Sequence, residues 1–312
     1  MVSFHEVRPD AFAYVWDNSL VPALEIEPGE AVQLHVRDAS DEQITKGSGV
    51  EDVAKLDFAH VNPVSGPVFV KGARPGDVLE VELLELVAGD WGWTAIIPGF
   101  GLLADEFTDP WLRISEVDAA AGTVRFADGI TLPHRPFPGT LGVAPAEPGE
   151  HSIVPPSRFG GNMDVKHLRA GVSLYLPVGV EGALFSLGDT HAAQGDGEVC
   201  GTAIETAMDV VVRLSVRRDL TLTAPQYHVP VLSTEEAEPS GCHVCTGVGP
   251  DLLEAARDAV RATIAHLQEQ RGLDREEAYA LASVTVDLRI HEVVDAPNWV
   301  VGAFVPDRIF EH

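Results

Sequence analysis

A mainly β fold is predicted: an antiparallel sandwich or barrel with a small α/β portion and one helical hairpin near the C-terminus. Three features predict it. Apolar residues alternate behind Pro-Gly turns, short apolar strands recur along the chain, and only one long stretch keeps helical periodicity. Pro28-Gly29 precedes Val32, Leu34 and Val36, and Pro75-Gly76 precedes Leu79, Val81 and Leu83. Alternation of this kind marks a half-buried strand, and Pro-Gly supplies the turn. The two units look alike, but two copies do not make a repeat architecture. Further strands are expected at 122–126, 171–177, 183–187 and 206–216. The segment 133–156 is rich in proline and glycine and reads as an irregular surface crossing. It divides a mainly β half, 1–150, from a second half, 151–312, which carries the polar motifs and both helices; the two are read as one compact unit. Over 251–271, Leu253, Ala256, Val260, Ile264 and Leu267 line one helical face, and Gly272 supplies a stop. A shorter helix follows, with Asp274 as its cap and Glu277 completing a capping box. Strands at 284–294 and 300–305 close the chain.

Composition narrows the function classes. At 45% hydrophobic and 22% charged, the 312 residues have the balance of an ordinary globular protein. No apolar run approaches the ~20 residues of a spanning helix. The N-terminus, MVSFHEVRPD, has neither the basic nor the apolar region of a secretory signal, so a cytoplasmic location is expected. With 48 acidic against 21 basic residues and a formal charge of -27, nucleic acid and anionic membranes are repelled, and neither is an expected partner. Lysine is scarce, confined to Lys46, Lys55, Lys71 and Lys166, and the acidic surface points to a salt-adapted or acidic-proteome habitat. Cys200, Cys242 and Cys245 are too few for a disulfide framework. Cys242 and Cys245 have the spacing of a redox pair or half a zinc site, but no second such pair exists, and they read as two small residues in a turn.

Three segments place polar residues at i, i+2 spacing, which in a strand puts them on one face. They are His60/Asn62, Asn162/Asp164/Lys166 and Asp189/His191, each flanked by glycine or proline that lets the backbone turn sharply. Asp189 and His191 are followed by Gln194, Asp196 and Glu198, with Gly195 and Gly197 between them. One imidazole with several oxygens suits zinc or another borderline divalent ion, and an all-oxygen subset suits calcium. The apolar run 183–187 leads straight into this cluster and anchors it in the core. Lys166, two residues from Asp164, can serve as proton donor or electrostatic clamp, or form an ordinary ion pair. Cys200, Glu205 and Lys166 together offer a different chemistry, a thiolate activated by a carboxylate base with no metal required. There is no GxGxxG opening a helix, no GxxxxGK[ST], no HExxH and no GxSxG elbow.

The phrases HVNPVSGPV (60–68), IPGFGLLADEF (97–107), GTLGVAPAEPGEHSIVPPSRFGGNMD (139–164), LYLPV (174–178), GDTHAAQGDGEVCGTAIE (188–205) and LRIHEVVDAP (288–297) run in order along nearly the whole chain. Together they resemble the acetamidase/formamidase family. The resemblance implies a mainly β hydrolase that converts formamide, acetamide or related short amides to a carboxylate and ammonia. It also implies an active site around His60, Asn62, Asn162, Asp164, Lys166, Asp189, His191, Gln194, Glu198 and Glu205. Thr190 within GDTH and the CHVC segment depart from the commoner family pattern, which bears on acyl specificity more than on reaction type.

The expected mechanism has a divalent ion, zinc or calcium, held by Asp189 and His191 with help from Asp164 or His60. Metal-activated water is then the nucleophile, with its pKa lowered toward about 7. Glu198 is the general base, and Lys166 with Asn162 steadies the oxyanion. The Cys200–Glu205–Lys166 thiolate amidase is one alternative, and a non-enzymatic β-sandwich with a structural calcium ion is another. A metal-dependent isomerase or lyase on a cupin-like barrel is disfavoured, because only His191 lies in the cluster. A homodimer is expected on the base rate of oligomers alone.

Overall fold

The alternating runs behind the Pro-Gly turns become strands on either side of a third. The computed structural model describes residues 4–231 and 241–310. Ala31–Val36 and Val78–Ala88 both pair antiparallel with Met208–Arg217, with Val210 opposite Leu34 and Leu214 opposite Val81. These strands sit in a nine-stranded sheet that runs Phe4–Glu6, Ala31–Val36, Met208–Arg217, Val78–Ala88, Ser173–Pro177, Gln226–Val229, Cys242–Gly249, Trp299–Pro306, Asp287–Glu292. Only its first pair is parallel. The second large sheet has seven strands and is centred on Phe137–Gly142, Phe185–His191 and Val64–Val70. A four-stranded sheet of 91–133 and a short ribbon complete the β-structure.

Alternation puts one face of each large sheet toward the other. Leu34, Val81, Leu174 and Val210 from the first sheet join Val68, Leu141, Phe185 and Leu187 from the second in one buried apolar cluster. Burial of a side chain of this size is worth roughly 1.5–3 kcal/mol, and the cluster is the main source of stability. Both sheets draw strands from both halves of the chain, so 1–150 and 151–312 interleave rather than stand apart.

The segment 133–156 corrects the reading of an irregular surface crossing. Its Phe137–Gly142 stretch is a wholly buried strand, paired with Gly160–Asn162 on one side and Phe185–His191 on the other. Here glycine marks close approach rather than a loop: a Cβ on Gly142 would lie 2.9 Å from the Gly161 amide nitrogen. The CHVC segment is likewise no turn, because Cys242–Gly249 is a strand bonded on both sides. Its two cysteines are buried, and burial pushes both thiols up to about 12.

The C-terminal hairpin forms as its caps dictate. Asp251 accepts from the Glu254 amide at 2.9 Å and opens Leu252–Arg271, which Gly272 ends at φ +68°. Asp274 accepts from the Glu277 amide at 2.7 Å and opens Arg275–Thr285. Val284 therefore belongs to the second helix, and the strand that follows it is Asp287–Glu292. The long helix buries Ala255, Ala259, Thr263 and Leu267, one residue round from the expected stripe, and leaves Leu253 61% exposed. Small residues win this face because Gly247 in the strand beneath lets the helix backbone press onto the sheet. Among the described residues, no helix is long and apolar enough to cross a membrane.

Candidate active site

Asp189 and His191 end the buried strand Phe185–His191 of the seven-stranded sheet. Simple alternation does not place them, because Asp189 takes φ +52°, as do Asp164 (+46°), Glu198 (+45°) and Asn62 (+48°) in the segments that meet them. A left-handed backbone at four polar non-glycine residues is strain of the kind that accumulates at functional sites.

The His191 ring is fully buried, and Phe137 meets it edge-on with centroids 5.0 Å apart. Gln194 Nε2 donates to the Asp164 carbonyl at 2.9 Å, which turns Gln194 Oε1 toward His191 Nδ1, also at 2.9 Å. An amide oxygen only accepts, so Nδ1 carries a proton and Nε2 is the atom aimed into the cluster. It lies 3.1 Å from Glu205 Oε2, 3.3 Å from Asp189 Oδ1 and 4.0 Å from Glu198 Oε1. None of these approaches has hydrogen-bonding geometry. His191 Nε2, Glu205 Oε2 and both oxygens of Asp164 are buried without a partner.

Glu205 arrives on a segment that bridges to Trp93, and its Oε1 accepts from the Ala203 amide at 2.7 Å. Asn162 accepts from the Thr140 hydroxyl and donates to Asp295 Oδ2 at 2.7 Å. Gly139 makes the convergence sterically possible, since a Cβ there would lie 2.3 Å from Asp164 Oδ1 and 2.9 Å from Asp189 Oδ2. Burial, then mutual repulsion, raises the acids: Asp164 to about 6 beside Asp189, and Glu205 to about 7. Glu198 and Asp295 rise well above the carboxylate range, each through burial and the Asp164 charge. Burial alone would lower the His191 imidazole, but the Glu205 and Asp189 charges raise it well above its usual value.

A donor set this dense in negative charge fits a cation. Unpartnered buried atoms forfeit their hydration, and a cradle kept open by Gly139 is where an ion would sit. Two overlapping groups have the spacing, Asp164–His191–Glu198 and Asp189–His191–Glu205. A third group is His167–Asp196–His291, where burial lowers the two imidazoles to about 2 and about 3 and keeps them neutral.

Above the acids opens a cavity of about 320 Å³. Its floor includes Asn162, Asp189, Glu198, Glu205 and Asp295, and Leu56, Val61, Ile97 and Phe100 are among its walls.

The structure brings together Asn162, Asp164, Asp189, His191, Gln194, Glu198 and Glu205, and places Asn62 on the cavity wall. It does not bring His60, whose exposed ring pairs with Asp57 at 2.8 Å on the short 3-10 turn Phe58–His60. That turn breaks the strand on which His60 and Asn62 would share a face. Lys166 faces Asp196 at 3.0 Å rather than Asp164, because the left-handed turn at Asp164 breaks the strand pattern. The Cys200 thiol lies 3.4 Å from the Thr202 carbonyl and 3.8 Å from that of Ala95, and none of its polar partners is a base.

Four buried residues escaped the reading of sequence. Glu292, which burial raises to about 8, and Asp295 both stand in LRIHEVVDAP, as does His291; His167 follows Lys166. Acids embedded in an otherwise apolar strand end were the available signal.

Comparison with known proteins points to one family. The profile described as Acetamidase/Formamidase family matches residues 8–152 and 146–312. Formamidase of Methylophilus methylotrophus is 26% identical, over 95% of this chain and 88% of that protein. Acetamidase of Yersinia enterocolitica superposes with a TM-score of 0.88 at 31% identity, covering 100% of this chain and 94% of its own. Acetamidase of Bacillus halodurans superposes at 0.87 with 29% identity and 98% of both chains.

Proposed function

The chain belongs to the acetamidase/formamidase family and is an amidase, and on that premise we propose that it hydrolyses short primary amides at this acidic floor, with a divalent metal assisting. The observation that carries the reading is the convergence of Asp164, Asp189, Glu198 and Glu205 on the unpartnered Nε2 of His191 at the base of a cavity.

Asp189, His191 and Glu205 would hold the ion, and Asp164 and Glu198 form the second group with ligand spacing around the same imidazole. Imidazole among carboxylates favours zinc, and the oxygen-rich remainder accommodates calcium. When bound, a divalent ion supplies Lewis acidity to the amide oxygen and lowers the pKa of water.

The side chains do the rest. A neighbouring positive charge returns the raised carboxylates toward their ionised form. Glu198 takes the proton from the attacking water as the C–O bond forms, then delivers it to nitrogen as the C–N bond breaks and ammonia leaves. Delivery matters because an amide anion is a very poor leaving group, and a positioned acid/base is worth about 10²–10⁴ in rate. Asn162 is held by Thr140 and Asp295 and keeps one amide N–H for the developing oxyanion. Lys166, turned to Asp196, is assigned no part at the reacting atoms.

Ammonia release from formamide and acetamide, with chelator and then zinc or calcium add-back, tests this. Turnover is expected to fall on chelation, return with metal and survive Cys200→Ala. If chelation leaves turnover intact and Cys200→Ala abolishes it, the thiolate mechanism replaces this one.

A further inference from the structure

We infer that the preferred substrate is a primary amide with an extended apolar acyl group, larger than the methyl of acetamide; the inference rests on the amidase reading above. The scissile amide must reach the acids on the floor. A primary amide extends only on its acyl side, so whatever fills the rest of the cavity is acyl group.

That remainder is large. At about 320 Å³ the cavity falls in the range of roughly 300–1,000 Å³ that holds drug-sized ligands. Acetamide would leave most of it to water. Away from the acids the lining is mostly carbon: Leu56, Val61, Ile97 and Val154 offer no side-chain polar atom, and Asn62 is the one amide among them. The hydroxyls nearby are engaged, Ser40 with Asp38 and Thr202 with the Ala95 carbonyl at 2.8 Å. Leu56 and Ile97 pack in the cluster that holds buried Trp93, whose Nε1 donates to Asp38 at 2.9 Å, so this part of the wall is backed by core. At the mouth, Phe58 and Phe100 stack with centroids 5.3 Å apart and planes 3° from parallel. They remain 50% and 38% exposed, apolar surface that an acyl chain rising from the floor would cover. A carboxylate at the chain's far end is disfavoured by the acids beneath and by the net charge of -27.

The metal-loaded enzyme assayed for ammonia release along acetamide, propanamide, butanamide and pentanamide decides the matter. Each buried methylene is expected to raise kcat/KM about fourfold, about fifty-fold in all. Ile97→Trp, which fills the wall, should cut the pentanamide-to-acetamide ratio by about tenfold, an estimate from the cost of overfilling a packed site. Should its melting temperature show a damaged fold, Phe100→Ala at the mouth is the second variant, and the same ratio should fall. A wild-type ratio at or below one overturns the inference while leaving the amidase intact, as does a ratio that neither folded variant lowers. No ammonia from any of the amides overturns the amidase reading itself.

Discussion

The helix on the large sheet and the floor of the cavity are both buried, and both depend on a glycine with no room for a Cβ. At Gly247 the added atom would lie 1.9 Å from the Ala255 carbonyl, so the glycine lets one backbone rest on another. At Gly139 it would strike the Asp164 and Asp189 carboxylates, so the glycine lets charges converge. Around the helix the local rules agree with the fold: Asp251 and Asp274 cap, Gly272 stops, and alanines fill the interface. On the floor they are broken together, with left-handed non-glycine residues, unpartnered oxygens and acids raised by burial. The first region stabilises the fold, while the second concentrates backbone strain and buried charge without partners.

The comparison breaks most visibly at Glu198. Glu198→Gln should lower kcat for ammonia release by about 10²–10⁴ while the melting temperature stays level or rises, because a buried acid is removed. An equal loss of both would mean that Glu198 is structural.

Metal removal comes next. An ion present at about 100 times its dissociation constant stabilises by about 2.7 kcal/mol, so chelation should lower the melting temperature accordingly. The stripped protein should also lose stability as pH rises. Asp164, Glu205 and Glu292, raised to about 6, 7 and 8, hold protons in the folded state that the unfolded chain has released. Their contribution is complete below about pH 4, the ordinary carboxylate range, and is lost as pH climbs through the folded values. Melting curves of stripped and loaded protein from pH 5 to 8 should diverge, the loaded one staying flatter; parallel curves would remove the cation from the floor.

The two glycines sharpen the contrast further. Gly247→Ala is expected to cost about 1–3 kcal/mol of stability by overpacking, with the specific activity of the folded fraction unchanged. In Gly139→Ala the clashing atoms are the Asp164 and Asp189 carboxylate oxygens and the His191 ring, the groups of the site itself, so activity should fall by more than stability does. Asp251→Ala is the smallest change, about 1 kcal/mol for a lost cap, read by chemical denaturation with no effect on turnover.

Much of the β-framework was legible because its signals are local. Val32, Leu34 and Val36 alternate within six residues, and Asp251 reaches only as far as Glu254. Segment 133–156 misled because glycine and proline signal a turn and a close strand approach equally, and only the partners of Phe137–Gly142 distinguish them. Asp189, His191, Glu198 and Glu205 could be found together because one segment carries them all. His60 was lost to a turn that caps on Asp57, and Lys166 to the left-handed turn at Asp164.

By itself, then, the sequence determined most strands, both long helices with their caps, the family, and the gathering of Asp189, His191, Glu198 and Glu205 on one segment, since each is written in residues near one another. Only the tertiary structure decided that Asp164 and Asp295 stand with the acids of that segment, that Lys166 turns to Asp196 instead of to Asp164, and that a largely apolar cavity opens beside them. Contacts around the site join residues from 30 to 133 positions apart, and their distances depend on sheet order and register, which no local spacing contains.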